Sequence, residues 1–321
     1  MAGSQVNLAK LNSRDISSEI KLAPFACTEA NNEIKAFLAK QTEPVFNCNF
    51  RDYDRKRNIA LVLQYEGTNF SGWQRQTNAP SVQAALEACL TNICQENIIV
   101  YGCSRTDAGV HARAYVASFY TNCQIPSANL PLACRSYLPE DISVLAAYEM
   151  PHTFNARFST LAKTYTYDLV LSKVQPALCS RTTTLCYYPL DIAQIQQACA
   201  LIVGEHDFRA FCGAKAEVNS YVRRVISLDV SKADTGYPSY LPILRFRITG
   251  DGFLYNMVRI IAGTLMAVGA KQRSLEDVEN ALITGNRKLA GMTLAARGLT
   301  LEHVYYAKEL PDLAVSDVKC L

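Results

Sequence analysis

The stretch Gly102-Cys-Ser-Arg-Thr-Asp-Ala-Gly-Val-His-Ala112 decides how the chain is interpreted, because it places a dense polar cluster between two apolar segments. Residues 98–101 and 114–120, which flank it, have the composition of strands. Arg105 and Asp107 are two positions apart, so in extended chain they project to the same side. A guanidinium keeps a neighbouring carboxylate ionised where water is excluded, as a nucleophile or general base requires. Alternatively, Asp107 forms an Asx-turn and Arg105 is a surface charge.

The composition excludes several classes of protein. The chain has 321 residues, of which 49% are hydrophobic, enough for one large core or two modest ones. Its 32 Lys and Arg against 29 Asp and Glu leave a net charge of +3, which excludes binding to nucleic acid by bulk charge alone. No apolar run approaches the roughly 18–20 residues of a membrane span, and the first thirty residues lack a secretory signal pattern. We therefore expect no membrane association.

Cysteine usage indicates the compartment. The 12 cysteines are scattered, with no Cys-x-x-Cys pair and no Cys/His spacing typical of a metal site. Several occupy apolar positions of periodic segments, where a free thiol behaves as a small hydrophobic group. The sequence predicts structural thiols, a cytoplasmic location and no metal. It also lacks a glycine-rich phosphate-binding loop, and we expect no cofactor.

Alternating strand and helix patterns indicate an α/β or α+β fold. The predicted strands are residues 58–65, 98–101, 114–120, 142–149, 164–169, 223–230, 243–249 and 299–306. The predicted helices are one opened by Pro80, residues 128–138, one capped by Asp191 and ended by Gly204, residues 254–269, and one with a capping box at Ser274 and Asp277. We divide the chain into a partly ordered extension (1–57, with one weak helical pattern at 31–40), an N-terminal catalytic half (58–160) and a C-terminal half (161–321) that completes the cleft.

Six motifs in the same order resemble the TruA family of tRNA pseudouridine synthases. They are Tyr65-Glu-Gly-Thr-Asn-Phe-Ser-Gly-Trp-Gln-Arg-Gln76, the stretch 104–112, Phe154-Asn-Ala-Arg-Phe-Ser159 with Lys163-Thr-Tyr-Thr-Tyr167, Gly204-Glu-His-Asp-Phe208, Gly252-Phe-Leu-Tyr-Asn-Met-Val-Arg259 and Gly298-Leu-Thr-Leu301. The resemblance runs from about residue 58 to 306. It implies two pseudo-symmetric α/β halves that share a mixed, largely antiparallel sheet with a central cleft. Ser104 departs from the family, which usually has Gly at this position, and Ala114-Tyr115 replaces a frequent Gly-Gln.

The resemblance implies an activity and the residues that carry it. The family isomerises uridine to pseudouridine, here at positions 38–40 of the tRNA anticodon stem-loop. Asp107 matches the catalytic aspartate, which acts as nucleophile at the sugar or stabilises and deprotonates it. Arg105 would help to extrude the target nucleotide. Tyr165 would stack on the uracil and Arg259 would pair with the aspartate. Without the resemblance, Tyr165 also fits a core aromatic residue.

Further residues are expected to contact the substrate. Leu254 matches a family position that packs under the base, although without the resemblance it is interpreted as a core leucine. Arg245 and Arg247 alternate with apolar neighbours, so both face one side of their strand and are candidate RNA contacts. Other basic residues lie in or near the motif loops: Arg75, Arg113, Arg157, Lys163, Arg209, Arg223 and Arg224. His111, His206 and His303 have no partner at ligand spacing and are interpreted as structural.

The family acts as a homodimer in which one tRNA contacts both subunits, and we expect the same here. Two alternatives remain at this point. The chain could be a related synthase that modifies other RNA positions, or a non-catalytic tRNA-binding protein that has kept the fold. Retention of Arg105, Asp107, Tyr165 and Arg259 together argues against a pure binder, which needs no desolvated carboxylate.

Overall fold

The computed structural model describes residues 28–41, 54–214, 218–233 and 241–307, and within them a single sheet of ten strands forms the centre of the molecule. The strands are β1 (Arg57–Tyr65), β2 (Tyr101–Gly102), β3 (His111–Thr121), β4 (Ile142–Met150), β5 (Thr160–Leu171), β6 (Thr184–Cys186), β7 (Gly204–Asp207), β8 (Val222–Lys232), β9 (Ile243–Gly250) and β10 (Leu299–Tyr306). Their order is β4-β1-β3-β10-β5-β9-β8-β7, with β2 beside β3 and β6 beside β5.

The sheet is mixed and largely antiparallel, as the family resemblance implies. β10 pairs with β3 in parallel, and β6 pairs with β5 in parallel, while the other neighbours are antiparallel. The first half supplies β4, β1 and β3, and the second supplies β5, β9, β8 and β7. The last strand, β10, lies between the two sets, so the halves share one continuous sheet.

Most of the helices cover the sheet face that carries Tyr165 and Tyr167. The helices of the described residues are α1 (Thr28–Leu38), α2 (Val82–Cys94), α3 (Leu130–Arg135), α4 (Ile192–Ile202), α5 (Met257–Gly269) and α6 (Leu275–Thr284). Apolar residues of α2 to α6 and of both sets of strands form one core cluster, which includes Leu86, Leu169 and Ile260. None of these helices is long and apolar enough to span a bilayer.

Helix α1 packs separately, on the opposite face of the sheet. Its Ile34 is buried against Ala162 of β5 and Ile226 of β8, and Tyr305 packs at the margin. Ala162 alternates with Lys163 and therefore faces away from Tyr165. The helical pattern predicted at 31–40 is thus present as α1, and it is docked on the sheet. The rest of the predicted extension, residues 1–27 and 42–53, lies outside the described residues.

Side-chain caps explain where three helices begin. The Ser81, Asp191 and Ser274 side chains accept hydrogen bonds from the backbone N–H three residues later, at α2, α4 and α6 respectively. At α6 the capping box is complete, since Asp277 also accepts from the backbone N–H of Ser274. The caps predicted at Asp191 and Ser274 are confirmed.

Four details differ from the sequence prediction. The strand expected at 98–101 is reduced to the two residues of β2. The helix expected over 128–138 covers only Leu130–Arg135, because Pro131 suits the first turn of a helix and not its interior. The helix expected from 254 begins at Met257, after Asn256 with a φ of 60°. The short strands β6 and β7 are not predicted at all.

Candidate active site

The loop between β2 and β3 carries Asp107 and is held by the chain segment that follows β1. The backbone N–H of Trp73 donates to the carbonyl of Thr106 at 3.1 Å, and that of Gly109 donates to Phe70 at 3.2 Å. Gly72 has a φ of +92°, and a Cβ there would lie 2.4 Å from the Thr106 carbonyl oxygen. Only glycine therefore allows the two segments to approach this closely. The loop is held by backbone contacts on the side away from solvent.

An aromatic cluster supports the same loop from below. Tyr65 and Thr106 share a hydroxyl–hydroxyl hydrogen bond of 2.9 Å. The Tyr115 ring stacks on Trp73 at 4.1 Å, and its hydroxyl donates to the carbonyl of Ser104 at a distance typical of a short hydrogen bond, 2.5 Å. These rings are almost completely buried and fix the height of the loop over the sheet. The Gly-Trp motif of the sequence supplies this support.

Arg259, in the first turn of α5, meets Asp107 across the cleft. Its Nη1 lies 3.5 Å from Asp107 Oδ2. The guanidinium is oriented by two further hydrogen bonds, from Nε to the Leu294 carbonyl and from Nη1 to Asn256 Oδ1, each 2.7 Å. Arg259 therefore presents a fixed positive charge to the carboxylate, and the pair joins the first half of the chain to the second.

Two opposing effects act on the Asp107 carboxyl group. Burial raises its pKa above the ordinary value, because desolvation disfavours the charged form, and the Arg259 charge and hydrogen bond partly offset this. The side chain keeps 29% of its surface exposed. The result is a partly desolvated carboxylate whose ionisation depends on Arg259.

Tyr165 of β5 lies beside Asp107 on the floor of the cleft. Its ring is buried and meets Phe253 edge to face at 5.3 Å. Its hydroxyl is 3.4 Å from Ser104 Oγ. Burial raises the pKa of Tyr165, with the Asp107 charge acting in the same direction, so the phenol is neutral at physiological pH. Ser104 thus brings a hydroxyl to Tyr165 that the glycine usual in the resembled family would not.

The remaining predicted residues divide into two groups. Arg105 is exposed on the loop two residues before Asp107, and Leu254 is buried in the turn that precedes α5. Arg245 and Arg247 share one face of β9 as predicted, but strand register sets them opposite Asp168 and Thr166, on the face away from Tyr165. The structure therefore does not bring these two arginines to the cleft.

Arg245 is also occupied by an ion pair. Its Nε and Nη2 donate to the two Asp168 carboxylate oxygens at 2.7 Å each, a bidentate arrangement with both side chains largely buried. Alternation along β9 correctly predicts the shared face, but alternation alone does not say which face is covered.

Two residues near Arg259, Asn256 and Leu294, have roles that the sequence interpretation does not include, whereas His111 makes structural hydrogen bonds, as predicted. Asn256 orients Arg259, and Leu294 supplies the backbone carbonyl that holds it. His111 accepts a hydrogen bond at Nδ1 from the Gly67 N–H at 2.9 Å, and its Nε2 lies 3.1 Å from the Arg297 carbonyl. With Nδ1 as acceptor and Nε2 as donor, the His111 ring satisfies both contacts and joins the loops of the two halves. The motif around Asn256 is visible in the sequence, whereas the backbone carbonyls leave no sequence signal.

A carboxylate held by a guanidinium from the other half of the shared sheet, beside a buried phenol, suits chemistry at a sugar carbon, where positive charge develops. The model of a family described as tRNA pseudouridine synthase matches residues 61–159 and 198–307. The chain belongs to this family.

Relatives with curated names agree with the family match. The chain is 42% identical over 250 residues to the tRNA pseudouridine synthase A of Clostridium kluyveri, which covers 78% of this chain and 100% of the relative. It is 41% identical over 251 residues to the protein of the same name from Geobacter sp., covering 78% of this chain and 99% of the relative. Identity to that of Caldicellulosiruptor bescii is 39% over 254 residues, with 78% and 100% covered.

Proposed function

We propose that this protein isomerises uridine to pseudouridine at positions 38–40 of the tRNA anticodon stem-loop, with Asp107 as its catalytic carboxylate. The observation that carries the proposal is the Asp107–Arg259 pair, held at 3.5 Å in a chain of the tRNA pseudouridine synthase family. In this reaction the N1–C1′ bond breaks, the uracil turns, and C5 bonds to C1′. C5 then loses its proton and N1 gains one, so the reaction is redox-neutral.

Each group in the cleft has a role in this scheme. The Asp107 carboxylate acts at C1′, either by covalent attack or by stabilising the positive charge and removing a proton. Arg259 keeps it ionised against the desolvation of the cleft. Tyr165, a neutral phenol with its ring on the cleft floor, stacks on the uracil and retains it while it turns. Exposed Arg105 occupies the space left by the extruded nucleotide.

The working form is proposed to be a cytoplasmic homodimer bound to a tRNA anticodon arm. Nine cysteines in the described part of the chain are free thiols, consistent with a reducing compartment. The oligomeric state is measured by light scattering on the full chain, where a dimer has twice the chain mass of 35.5 kDa. A mass of one chain at micromolar concentration would contradict the dimer without affecting the catalytic assignment.

The test is to map pseudouridines in an unmodified tRNA transcript after incubation with the full-length protein. Wild type is expected to modify uridines 38–40. Asp107→Asn should abolish the modification while tRNA binding persists, because the variant keeps the shape of the site and loses its charge. Asp54→Asn, at an exposed position outside the cleft, is the matched control and should retain full turnover.

Each alternative has its own outcome in this assay. Modification confined to other positions would indicate a related synthase of different site specificity. tRNA binding without any pseudouridine, in wild type as in the variant, would indicate a non-catalytic binder. Full turnover by Asp107→Asn would show that the catalytic carboxylate is misassigned.

A further inference from the structure

Lys163 is a charged residue close to Tyr165 in sequence that the scheme above does not use. It lies on β5 two residues before Tyr165, so the two side chains project from the same face of the sheet. Their Cα atoms are separated by about 6.5–7 Å along the strand, a span that a single nucleotide bridges. Its register partners are Gly250 of β9 and Val304 of β10, and neither carries a charge.

The surroundings of Lys163 leave its positive charge poorly compensated. Within the described residues no hydrogen bond or ion pair engages its ammonium group. The nearby Cys103 is 1% exposed, and burial raises the pKa of its thiol, so it is neutral. Asp251 is the anionic neighbour, but it is exposed and accepts a hydrogen bond from the Arg224 N–H at 3.0 Å. Arg157, the other charged neighbour, adds repulsion.

Burial also affects the pKa of the Lys163 ammonium group. Burial lowers the pKa of Lys163, the neighbouring thiol and Asp251 partly oppose this, and Arg157 reinforces it. A half-buried lysine without an ion-pair partner is unusual, because such a charge normally acquires a counter-ion or hydrogen bonds. Lys163 as a whole residue retains partial exposure. The arrangement is suited to an anion that arrives from the cleft.

Two other basic residues, Arg157 and Arg223, lie in the same region. Arg223 packs its Cδ and Nε against Gly252, in the turn that carries Phe253, the ring neighbour of Tyr165. Arg157 is exposed on the loop that precedes β5. A single small anion could contact only a few of these basic side chains. A nucleic acid backbone carries one phosphate per nucleotide and could contact all of them. The local excess of positive charge therefore favours a nucleic acid strand over a free anion.

We propose that Lys163 binds a backbone phosphate of the substrate RNA next to the extruded uridine, and so fixes the position of the nucleotide relative to Tyr165 and Asp107. This inference rests on the proposed function, because it takes the RNA strand in the cleft as the ligand. It assigns to Lys163 a binding role, separate from bond making at C1′.

The experiment uses the full chain in an Asp107→Asn background, so that an unmodified tRNA transcript is bound and not turned over. Binding is measured as a function of salt concentration for this protein and for the same protein with Lys163→Met. Loss of one phosphate contact should reduce the slope of log K against log salt by about 0.7–0.9. At 0.1 M salt this corresponds to roughly five- to eightfold weaker binding. Lys163→Arg keeps the charge and should retain most of the slope.

A second readout separates binding from chemistry and from folding. In the catalytically active protein, Lys163→Met should raise KM with kcat largely retained. Lys232→Met, an exposed lysine at the far end of β8, is the matched control and should change neither the slope nor KM. An unchanged slope for Lys163→Met, or a loss confined to kcat, overturns the proposal. If Lys163→Met lowers the melting temperature, the folded Lys163→Arg and Lys163→Gln proteins decide, since only Arg should keep the slope.

Failure of this inference is distinguishable from failure of the proposed function. Absence of pseudouridine in the wild-type reaction refutes the function, whatever the salt dependence. Normal pseudouridine formation by Lys163→Met, with unchanged KM and salt slope, refutes only the phosphate contact.

Discussion

Replacing Arg259 with methionine should move the acidic limb of the pH–rate profile, because Arg259 opposes the desolvation of Asp107. Two unit charges 3.5 Å apart interact by about 5 kcal/mol at an effective dielectric constant of about 20. Asp107 keeps 29% of its surface exposed, so water screens part of this attraction. An opposite charge at such a distance typically lowers a carboxyl pKa by about 1–3 units.

The direction follows from the two effects at the carboxyl group. Burial already raises the pKa of Asp107, and without Arg259 nothing opposes this rise. If the ionised form is the active one, kcat/KM of Arg259→Met should fall on acidification at a pH about 1–3 units higher than for wild type. At high pH, where Asp107 is ionised in both proteins, the difference should narrow.

The assay measures tritium released from tRNA labelled at uridine C5, since that hydrogen is lost when C5 bonds to C1′. Arg113→Met is the matched control, because Arg113 Nη1 lies 3.6 Å from Glu302 Oε1, a separation similar to that of the cleft pair. Its acidic limb should not move. Loss of the hydrogen bonds from Arg259 to Leu294 and Asn256 should also lower stability by about 1–3 kcal/mol, so melting curves accompany the kinetics. An acidic limb unchanged in folded Arg259→Met would refute the reasoning.

Three further substitutions test the surrounding structure. Gly263→Ala in α5 should destabilise by about 1–3 kcal/mol or more in thermal unfolding, because the new Cβ would lie 2.0 Å from the Met292 carbonyl oxygen. Ile34→Ala in α1 should cost about 2–5 kcal/mol in chemical denaturation if the helix stays docked in solution. Ser104→Ala should lower kcat/KM by no more than about tenfold, since one hydrogen bond to the Tyr165 hydroxyl is lost.

Two of these substitutions, Gly263→Ala and Ile34→Ala, have matched controls. A Cβ at Gly252 would meet Arg223 at an ordinary 3.5 Å, so Gly252→Ala should unfold close to the wild-type temperature. Glu33 is exposed beside Ile34, and Glu33→Ala should leave stability unchanged. An Ile34→Ala protein as stable as wild type would contradict the docking of α1. A Gly263→Ala protein of wild-type stability would contradict the close approach to Met292.

Patterns that follow from local geometry predict most of this fold. β10 matches its prediction to the residue, and β1, β3, β4, β5, β8 and β9 are present where apolar runs occur. Residues 98–101 show why an apolar run does not always form a strand. Ile98 and Val100 are buried, as a strand pattern implies. Their backbone N–H groups, however, donate to Thr91 Oγ1 and to Glu87 Oε1 of α2 and not to a neighbouring strand.

Short elements depend on partners that are distant in the chain. β7 contains the polar residues Gly204 to Asp207 at the sheet edge, and it is a strand because it pairs with Val222–Val225 of β8. No local periodicity marks four polar residues as a strand. The first residue of α5 could not be predicted from the apolar pattern either. That pattern begins at Leu254, but Asn256 is in the left-handed conformation and the helix begins only at Met257.

For the site, sequence motifs predict candidate residues but do not give their positions in space. Asp107, Arg259 and Tyr165 are far apart in sequence, and the fold brings them together. Arg245 and Arg247 do not join them, since β-strand alternation has two faces and the choice between them depends on packing. The partner of Arg245, Asp168, is 77 residues away and becomes its neighbour only through the β5–β9 register.

The central position of β10 has a consequence for synthesis on the ribosome. β3 emerges early, yet the strand that completes its other edge is among the last parts of the described chain to be made. At about 5–20 residues per second, translation from Thr121 to Leu299 takes roughly 10–40 s. During that interval an edge of β3 is available for wrong pairing, and the Arg297 carbonyl that holds His111 does not yet exist. A chain that ends before Arg297 therefore contains Asp107 but lacks both β10 and the carbonyl that holds His111.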